Sequence, residues 1–258
     1  MVHSTRSAVL PASSRDGEKA MTHSKTTGWY TPGGVYLITG GSGTLALHLA
    51  NHILGKGPAV VALLARRNLP SQNPAIETIK ADVTDRSALS KAIGELRAKH
   101  GHIDGVFHMA AVTKDRAILS KSFSDFDTVL APKIAGLRNV DLETRDDALR
   151  IFVGFSSIAA VLGNSGQSDY ATANAFIDHY MHQRERDVAA GLASGLSLSI
   201  NWPYWRDGGL HPANAGDPVT GHVSGAVPLS LEEGFETLDR ICTLGESQVA
   251  VFLATRKS

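Results

Sequence analysis

The segment SSIAAVLGNSGQSDYATAN, residues 156–174, contains residue types that can move a proton to a carbonyl oxygen. Ser157 and Tyr170 lie thirteen positions apart, and Asn174 follows the tyrosine by four. A tyrosine can donate its proton to a carbonyl oxygen while the carbonyl carbon accepts hydride, and a serine can hold the developing oxyanion. This chemistry also requires a nearby cation that lowers the pKa of the phenol.

Lys133 is the candidate for that cation, in the segment FDTVLAPKIAGLRNV (126–140). It lies on an apolar helical stripe, four residues after Val129 and four before Leu137. A lysine on such a stripe commonly extends its ammonium group to water and has no further role. Lys133 nevertheless lies on the helix immediately before the strand that ends at Ser156 and Ser157. The residues alone leave both interpretations open.

The composition predicts a folded protein of the cytoplasm. The chain has 258 residues, of which 43% are hydrophobic and 19% charged, and its formal net charge is zero. A balanced charge gives no indication of nucleic acid or an anionic membrane as a partner. Cys242 is the only cysteine, which excludes an intramolecular disulfide framework and fits a reducing compartment. The sequence contains neither an apolar run long enough to span a bilayer nor the apolar core of a signal peptide.

Seven short apolar runs alternate with helix-like segments along most of the chain. The predicted strands are 35–39, 60–65, 77–83, 105–112, 150–156, 197–201 and 248–254, and the predicted helices are 44–55, 85–99, 122–143, 168–190 and 231–243. Near-continuous apolar strands are typical of a parallel sheet covered on both faces. The alternation predicts an α/β fold, a Rossmann-like doubly wound parallel sheet of about seven strands. The segment RRNLPSQNPAI, between the second and third strands, is too short for a crossover helix.

The chain is expected to form one domain, at residues 33–258, after a flexible leader at residues 1–32. The leader is rich in Ser, Thr, His and charged residues, and only Trp29 and Tyr30 are suited to docking on a core. Residues 203–228 contain several Gly and Pro and are expected to form a lid loop.

A glycine-rich turn, TGGSGTLA (39–46), follows the first predicted strand and opens a helix. Its pattern is Gly41-x-Gly43-x-x-Ala46, which allows a pyrophosphate to approach the backbone at a helix N-terminus. Such a turn can equally be only a turn. The second predicted strand is followed by Arg66 and Arg67, with no acidic residue to hold an adenosine ribose. Arginine there favours the 2′-phosphate of NADPH over NADH, unless the pair is merely solvated.

Three motifs, TGGSGTLA, LAPKIAGL and FSSIAAVLGNSGQSDYATANAF, make the chain resemble the ketoreductase domains of modular polyketide synthases. These domains form a branch of the short-chain dehydrogenase/reductase superfamily in which the lysine and asparagine exchange places: the lysine lies on the earlier helix, and asparagine follows the tyrosine by four. SINWPYWRDGGL (199–210) and VPLSLEEGFETL (227–238) resemble the enzymes of trans-acyltransferase assembly lines most closely. The resemblance runs from about residue 33 to the end of the chain.

The resemblance implies NADPH-dependent reduction of a β-ketoacyl thioester carried on the phosphopantetheine arm of an acyl carrier protein. It makes Tyr170 the proton donor, Ser157 the oxyanion partner, Lys133 the residue that tunes the phenol, and Asn174 the residue that positions a relay water. The positions that match the family's cofactor contacts are Gly40, Gly41, Ser42, Gly43, Thr44, Leu45, Arg66, Asp82, Val83, Ala110 and Ala111.

The resemblance also implies a stereochemical outcome. Asp115 matches an aspartate of the family members that form D-configured 3-hydroxyacyl products, the B type. Leu162 occupies the position where enzymes with L-configured products have a tryptophan, and Gln167 is a further expected substrate contact. An aspartate beside a strand end can also be only a loop cap.

Two other functions stay open at this level. One is a short-chain dehydrogenase that acts on a free small ketone, which the exchanged Lys133 and Asn174 disfavour. The other is a cofactor-poor relative that serves as an epimerase or scaffold, for which the unusual Ala46 and the short second crossover are the arguments. Complete relatives carry a structural half-domain before the catalytic half, so the chain is expected to be a stand-alone protein, an excised half or the partner of another half in a synthase module. His48 and His52 lack a third ligand, and no metal is expected.

Overall fold

The computed structural model of the chain describes residues 6–11, 28–71, 73–208 and 228–254. The strands are β1 (Arg6–Pro11), β2 (Gly34–Thr39), β3 (Ala59–Ala65), β4 (Ile76–Lys80), β5 (Gly105–His108), β6 (Ile151–Ser157), β7 (Leu196–Trp202) and β8 (Gln248–Ala254). The helices are α1 (Thr44–Gly55), α2 (Arg86–His100), α3 (Phe123–Thr144), α4 (Ala159–Leu162), α5 (Ser168–Ala189) and α6 (Leu231–Ile241). A short 3-10 helix spans Ile118–Ser120.

The eight strands form one sheet in the order β1-β8-β7-β6-β5-β2-β3-β4. Strands β2 to β8 are parallel to one another, which confirms the doubly wound α/β fold with seven parallel strands. From β2 the chain first builds the sheet outward through β3 and β4, then returns to the other side of β2 with β5. The order of the strands therefore reverses between β2 and β5, which is where such sheets open a crevice.

The seven predicted strands and five predicted helices are all present, with their ends shifted by a few residues. Described residues between β3 and β4 form no helix, as the short segment predicted. The predicted lid, residues 203–228, lies mainly outside the described residues. Its described part pairs Trp205 with Leu229 in an isolated bridge. None of the described helices is both long and apolar enough to cross a bilayer.

Two described parts of the leader expected over residues 1–32 belong to the sheet and the core. Arg6–Pro11 forms β1 and pairs antiparallel with β8. Without β1, β8 would be an edge strand with unpaired N–H and C=O groups, and such an edge can pair with another segment of the chain. Trp29 is buried in the core, as its aromatic character indicated, and its indole N–H donates to Asp239 at 2.9 Å.

Each face of the sheet is covered by its own apolar cluster, which explains why the strands are apolar at nearly every position. On one face, Ile38 of β2 packs in the same cluster as Leu49 of α1 and Leu238 of α6. On the other face, Leu37 of β2 lies in a cluster with residues of α2, α3 and α5. A strand buried on both faces needs no polar alternation.

Helix α5 lies unusually close to β6 because Gly154 has no side chain. A Cβ atom built on Gly154 would collide with Ile177 of α5 and would lie 3.0 Å from the Cε atom of Met181. Ile177 is β-branched and stiff, so the helix rather than the side chain would have to yield. Since α5 also carries Tyr170 and Asn174, this glycine helps to set the height of both above the sheet.

We expect Gly154→Ala to destabilise the protein by about 1–3 kcal/mol, the usual cost of overpacking a filled core. Thermal or urea unfolding measures the effect. The control is Gly94→Ala in α2, where a Cβ would have nothing within 4 Å. That substitution should stabilise the helix by about 0.5–1 kcal/mol. Equal unfolding free energies for Gly154→Ala and the parent would contradict the close packing of α5 on β6.

Candidate active site

A cavity of about 500 Å³ opens at the carboxyl ends of the parallel strands, where the strand order reverses. Its walls come from the glycine-rich turn, the ends of β3 and β5, the middle of α3, and the segment from β6 to the start of α5. The predicted site residues that line it are Gly40, Ser42, Gly43, Leu45, Arg66, Asp82, Val83, Ala110, Ala111, Asp115, Lys133, Ser157, Gln167 and Tyr170. Of the others, Gly41, Thr44, Asn174 and Leu162 lie behind or beside this surface.

The glycine-rich turn is folded as a pyrophosphate cradle requires. Gly40 has a φ of +72°, and a Cβ there would lie 2.9 Å from the backbone of Met109 and Ala110. Gly41 donates its N–H to the carbonyl of Leu64 at 2.9 Å, which ties the turn to β3. Gly43 is the N-cap of α1, and no side chain caps this helix. Its first N–H groups are therefore available to an anion, so these residues fit a dinucleotide pyrophosphate.

The adenosine end of the cavity is formed by residues after β3 and β4. Arg66 is exposed and lines the cavity, whereas its neighbour Arg67 does not line it. The Asp82 carboxylate accepts hydrogen bonds from the Thr84 N–H at 2.9 Å and from the Thr84 hydroxyl at 2.7 Å, which fixes its orientation. Val83 is buried. Arg66 is thus placed where a 2′-phosphate on the ribose could be bound.

A hydrogen-bond network under Ala110 joins the cofactor side of the cavity to α3. The Thr39 hydroxyl oxygen accepts the N–H groups of Met109 at 3.1 Å and Ala110 at 3.2 Å, and it lies 3.0 Å from His108 Nδ1. His108 Nε2 lies 3.0 Å from the carbonyl of Pro132 and must donate to it. Burial, followed by the charge of Lys133, lowers the pKa of His108 to about 3. His108 is therefore neutral, and Thr39 donates to its Nδ1.

Lys133 follows Pro132 on α3 and does not reach the solvent. It is only 2% exposed, and its Nζ atom donates to the carbonyl of Phe155 at 2.9 Å. The same Nζ lies 5.7 Å from the centre of the Tyr170 ring. Burial lowers the pKa of Lys133 to about 7, with Asp178 acting in the opposite direction. Lys133 is accordingly an internal cation beside the tyrosine rather than a lysine that extends to water.

Tyr170 and Ser157 face each other at the floor of the cavity. Burial raises the pKa of Tyr170, while side-chain hydrogen bonding to Asn174 and Ser157 lowers it to a smaller extent. Lys133 is not among the groups that shift this pKa. The tuning role of Lys133 therefore stays a prediction. Ser157 Oγ accepts the N–H of Ala159 at 3.2 Å, which leaves the serine hydroxyl proton available for another acceptor.

Asn174 lies one helical turn after Tyr170 and is completely buried. Its Nδ2 donates to the Tyr170 carbonyl at 2.7 Å. Its Oδ1 has no hydrogen-bond partner among the described residues, although it is buried. A buried amide oxygen in this condition is the kind of group that an ordered water satisfies. The geometry suits the expected role of positioning a water.

A group of polar residues beneath this floor was missed by the prediction from the sequence. Ser156 donates to the Asn174 carbonyl at 3.2 Å and accepts from Asn201 Nδ2 at 3.0 Å. Asn201 also donates to Asp178 at 2.8 Å, and Ser199 donates to the same carboxylate at 2.6 Å. A signal was available: the alternate positions of the predicted strand SLSIN, Ser197, Ser199 and Asn201, are polar, which indicates hydrogen bonding to a buried partner.

On the substrate side, Asp115 and Gln167 meet across the cavity. Gln167 Nε2 donates to Asp115 Oδ2 at 2.9 Å, and Asn164 Nδ2 donates to Gln167 Oε1 at 2.9 Å. The other oxygen of Asp115 is buried and has no partner in the described part of the chain. Leu162 is 52% exposed on α4. Asp115 and Gln167 form one unit, whereas Leu162 lies outside it.

The two histidines of α1 form no metal site. His52 lies 3.1 Å from Asp239, and its ring stacks on Phe235 at a centroid distance of 5.0 Å. Within the described ranges, no group of three or more His, Cys, Asp or Glu side chains could hold a metal ion. His52 is instead part of the contact between α1 and α6.

The fold and the site define an oxidoreductase of the short-chain dehydrogenase/reductase superfamily. A family model described as the KR domain matches residues 34–207. The chain is 37% identical over 230 residues to polyketide synthase PksN of Bacillus subtilis and 37% identical over 232 residues to polyketide synthase ThaG of Burkholderia thailandensis. The chain therefore belongs to the KR domain family, the ketoreductase domains of polyketide synthases.

Solved structures agree with this assignment. A ketoreductase domain from the bacillaene assembly line has a TM-score of 0.79 and 33% identity, and the match covers 86% of this chain and 56% of that one. An N-terminal ketoreductase from the macrolactin assembly line has a TM-score of 0.76 and 30% identity, over 87% of this chain and 46% of that one. The matches to PksN and ThaG cover 84% and 86% of this chain but only 4% of each synthase.

We expect the Lys133 ammonium to titrate near pH 7, whereas an exposed lysine titrates near about 10.4. NMR of protein labelled with ¹³C at lysine measures this, and Lys133→Met assigns the signal. Asp178→Asn should lower the pKa further, because the carboxylate favours the charged form.

The same depressed pKa has a consequence for stability. Folding disfavours the charged form, so the penalty is complete below pH 7 and disappears as the pH rises through the unfolded pKa. The parent should therefore gain stability relative to Lys133→Met between about pH 7 and pH 10. A Lys133 signal that titrates together with the exposed lysines would contradict the burial of this group.

Proposed function

We propose that the protein reduces a β-ketoacyl thioester, carried by an acyl carrier protein, to a D-configured 3-hydroxyacyl thioester with NADPH. The observation that carries the proposal is the arrangement at the cavity floor. Tyr170 and Ser157 share this floor, and the buried Nζ of Lys133 lies 5.7 Å from the tyrosine ring. The same cavity extends past the glycine-rich turn to Arg66, so one continuous space can hold a dinucleotide and the carbonyl to be reduced.

Each residue at the floor has a task in this reaction. Bound NADPH would supply a hydride to the carbonyl carbon. Tyr170 gives the proton to the carbonyl oxygen, and its raised pKa keeps the phenol protonated at neutral pH, which suits a donor. Ser157 donates its hydroxyl proton to the developing oxyanion, since its oxygen already accepts from the Ala159 N–H. Asn174 holds, through its unpartnered Oδ1, the water that returns a proton to the tyrosine.

The carrier protein and the synthase context are supported by the relatives alone. PksN and ThaG are polyketide synthases, and this chain is similar to a small part of each. The natural partners are then a carrier protein that bears the β-ketoacyl chain and a structural half-domain or module of the synthase.

Reduction of a free small ketone is the competing function. Comparing turnover of the same acyl group as a carrier-bound thioester and as a free pantetheine thioester separates the two. A higher kcat/KM for the carrier-bound thioester supports the proposal. A simple ketone with the same kcat/KM as the carrier-bound thioester favours the alternative.

We expect Tyr170→Phe to reduce turnover by about 10²–10⁴-fold, the usual contribution of a general acid. The affinity for NADPH, followed by its fluorescence, should stay close to that of the parent, because the tyrosine hydroxyl is remote from the glycine-rich turn. Tyr180→Phe in the same helix is the control; its hydroxyl donates to Asp141 away from the cavity. Near-parental turnover by Tyr170→Phe would exclude the assigned role.

We expect Arg66→Ala to weaken NADPH binding selectively and to narrow the preference for NADPH over NADH. The loss of one charged hydrogen bond to a phosphate corresponds to about 1.5–3 kcal/mol, or roughly tenfold or more in affinity. The matched control is Arg67→Ala, since that neighbour is exposed but does not line the cavity. Equal kcat/KM of the parent with the two cofactors would contradict the assignment of Arg66.

Chiral chromatography of the released product should give mainly the D-configured alcohol. The physical basis is that Asp115, held by Gln167, forms the wall that decides from which side the acyl chain enters. Asp115→Ala is expected to increase the minor alcohol. A predominantly L-configured product from the parent would overturn the role of Asp115.

A further inference from the structure

Residues 113–121 form a loop and one short 3-10 turn between β5 and α3, and this 113–121 segment carries a buried ion pair at its end. The side chains of Lys121 and Asp169 are 0% and 1% exposed, and Lys121 Nζ lies 2.7 Å from Asp169 Oδ2. Lys121 Nζ also donates to the carbonyl of Lys114 at 2.7 Å. The second oxygen of Asp169 accepts the N–H of Tyr170 at 2.8 Å. A continuous series of bonds thus connects the 113–121 segment to the backbone of the candidate proton donor.

Fold stability alone does not account for such a pair. Removing two charges from water is costly, and a buried ion pair replaced by apolar residues of similar volume is often as stable or more so. An ion pair, unlike an apolar contact, has a preferred distance and orientation between its two groups. The ammonium of Lys121 and the carboxylate of Asp169 fix the distance and orientation between the two pieces of chain that they join.

Neither Lys121 nor Asp169 lines the cavity, but their neighbours do. Thr113 and Asp115 on the one side and Gln167 and Tyr170 on the other are wall residues. Two further contacts join the same pieces of chain. Asp115 accepts from Gln167, and the Arg116 N–H donates to the Gly166 carbonyl at 2.9 Å. The ion pair lies behind the wall that these contacts form, and of the three it alone is charged on both sides and fully buried.

We propose that the Lys121–Asp169 pair positions the 113–121 segment against the first turn of α5 and so fixes which face of the substrate carbonyl meets Tyr170. The proposal rests on the proposed reductase function for its stereochemical part. Lys121 and Asp169 are positioning residues that act through Asp115 and Tyr170. A displacement of about 1 Å in a reacting group can change a rate by as much as about 10²-fold. A wall that moves by this amount would admit the acyl chain in both orientations.

The test is the double variant Lys121→Met/Asp169→Asn. Both charges are removed together, so no buried charge is left unpaired, and the asparagine side chain can still accept the N–H of Tyr170. Deuterium exchange at the backbone amides of residues 113–121 should become faster by about tenfold or more, because local opening no longer breaks the ion pair. With a β-ketoacyl pantetheine thioester and NADPH, the minor alcohol should increase several-fold, and kcat should fall more than KM rises.

The matched control is Lys114→Met. It removes the same charge from the same segment, but the pair that Lys114 forms with Asp125, at 2.9 Å, is partly exposed, with the two side chains 44% and 16% exposed. Exposed pairs contribute little, so this variant should keep the parental exchange rate and product ratio. If the double variant does not fold, Asp169→Glu serves instead, because it keeps both charges and moves the carboxylate by one methylene.

A parental product ratio in a double variant that turns over would overturn the proposal, whatever its exchange rate. Parental exchange over residues 113–121 would overturn it as well. A parent protein that reduces no β-ketoacyl thioester would refute the proposed function instead. In that case the exchange experiment still decides whether the Lys121–Asp169 pair anchors the segment.

Discussion

The burial of the Lys133 ammonium is the constraint on which the site depends. A cation cannot be kept away from water unless hydrogen bonds and opposite charge compensate it. The chain meets this requirement with the carbonyl of Phe155 and with the field of Asp178, whose carboxylate is held in turn by Ser199 and Asn201. The floor of the cavity is therefore anchored to three elements: β6, β7 and α5. The energetic cost of burying the lysine stays low only while β6, β7 and α5 keep their relative positions.

The same constraint explains the polar residues inside the sheet. Asn201 and Ser199 interrupt an apolar strand, and Asp178 interrupts the apolar face of α5, yet each is satisfied by the others. Ser156 belongs to this arrangement because it connects Asn201 to the carbonyl of Asn174. The exchanged lysine and asparagine are thus accompanied by this buried hydrogen-bond network. The buried Oδ1 of Asn174 has no hydrogen-bond partner among the described residues.

Two kinds of attachment hold the parts of the cavity at their distances. On the cofactor side, backbone contacts dominate: glycine turns against strand ends, and the Thr39 hydroxyl collects two N–H groups from the end of β5. Such contacts leave little room for adjustment. On the substrate side, side chains join two loops, through Asp115 with Gln167 and through Lys121 with Asp169.

Local sequence determined much of this protein. The spacing of apolar residues was sufficient to predict seven strands and five helices, because burial on two faces imposes a pattern on each strand. The superfamily and its branch could be predicted from a few residues: the motif TGGSGTLA, Ser157 and Tyr170, and the exchanged Lys133 and Asn174. The segment between β3 and β4 has too few residues for a helix, and this could be predicted from its length alone.

Only the tertiary structure decided the remaining points, since each depends on residues far apart in the chain. The Nζ of Lys133 could have reached solvent or the interior, and the Phe155 carbonyl, twenty-two positions away, directs it inward. Arg6–Pro11 is not among the strands predicted from the sequence, and it pairs because β8 presents an open edge. Lys121 and Asp169 look like two ordinary surface charges in the sequence. Forty-eight positions separate them, and only the folded chain buries both and makes each the partner of the other.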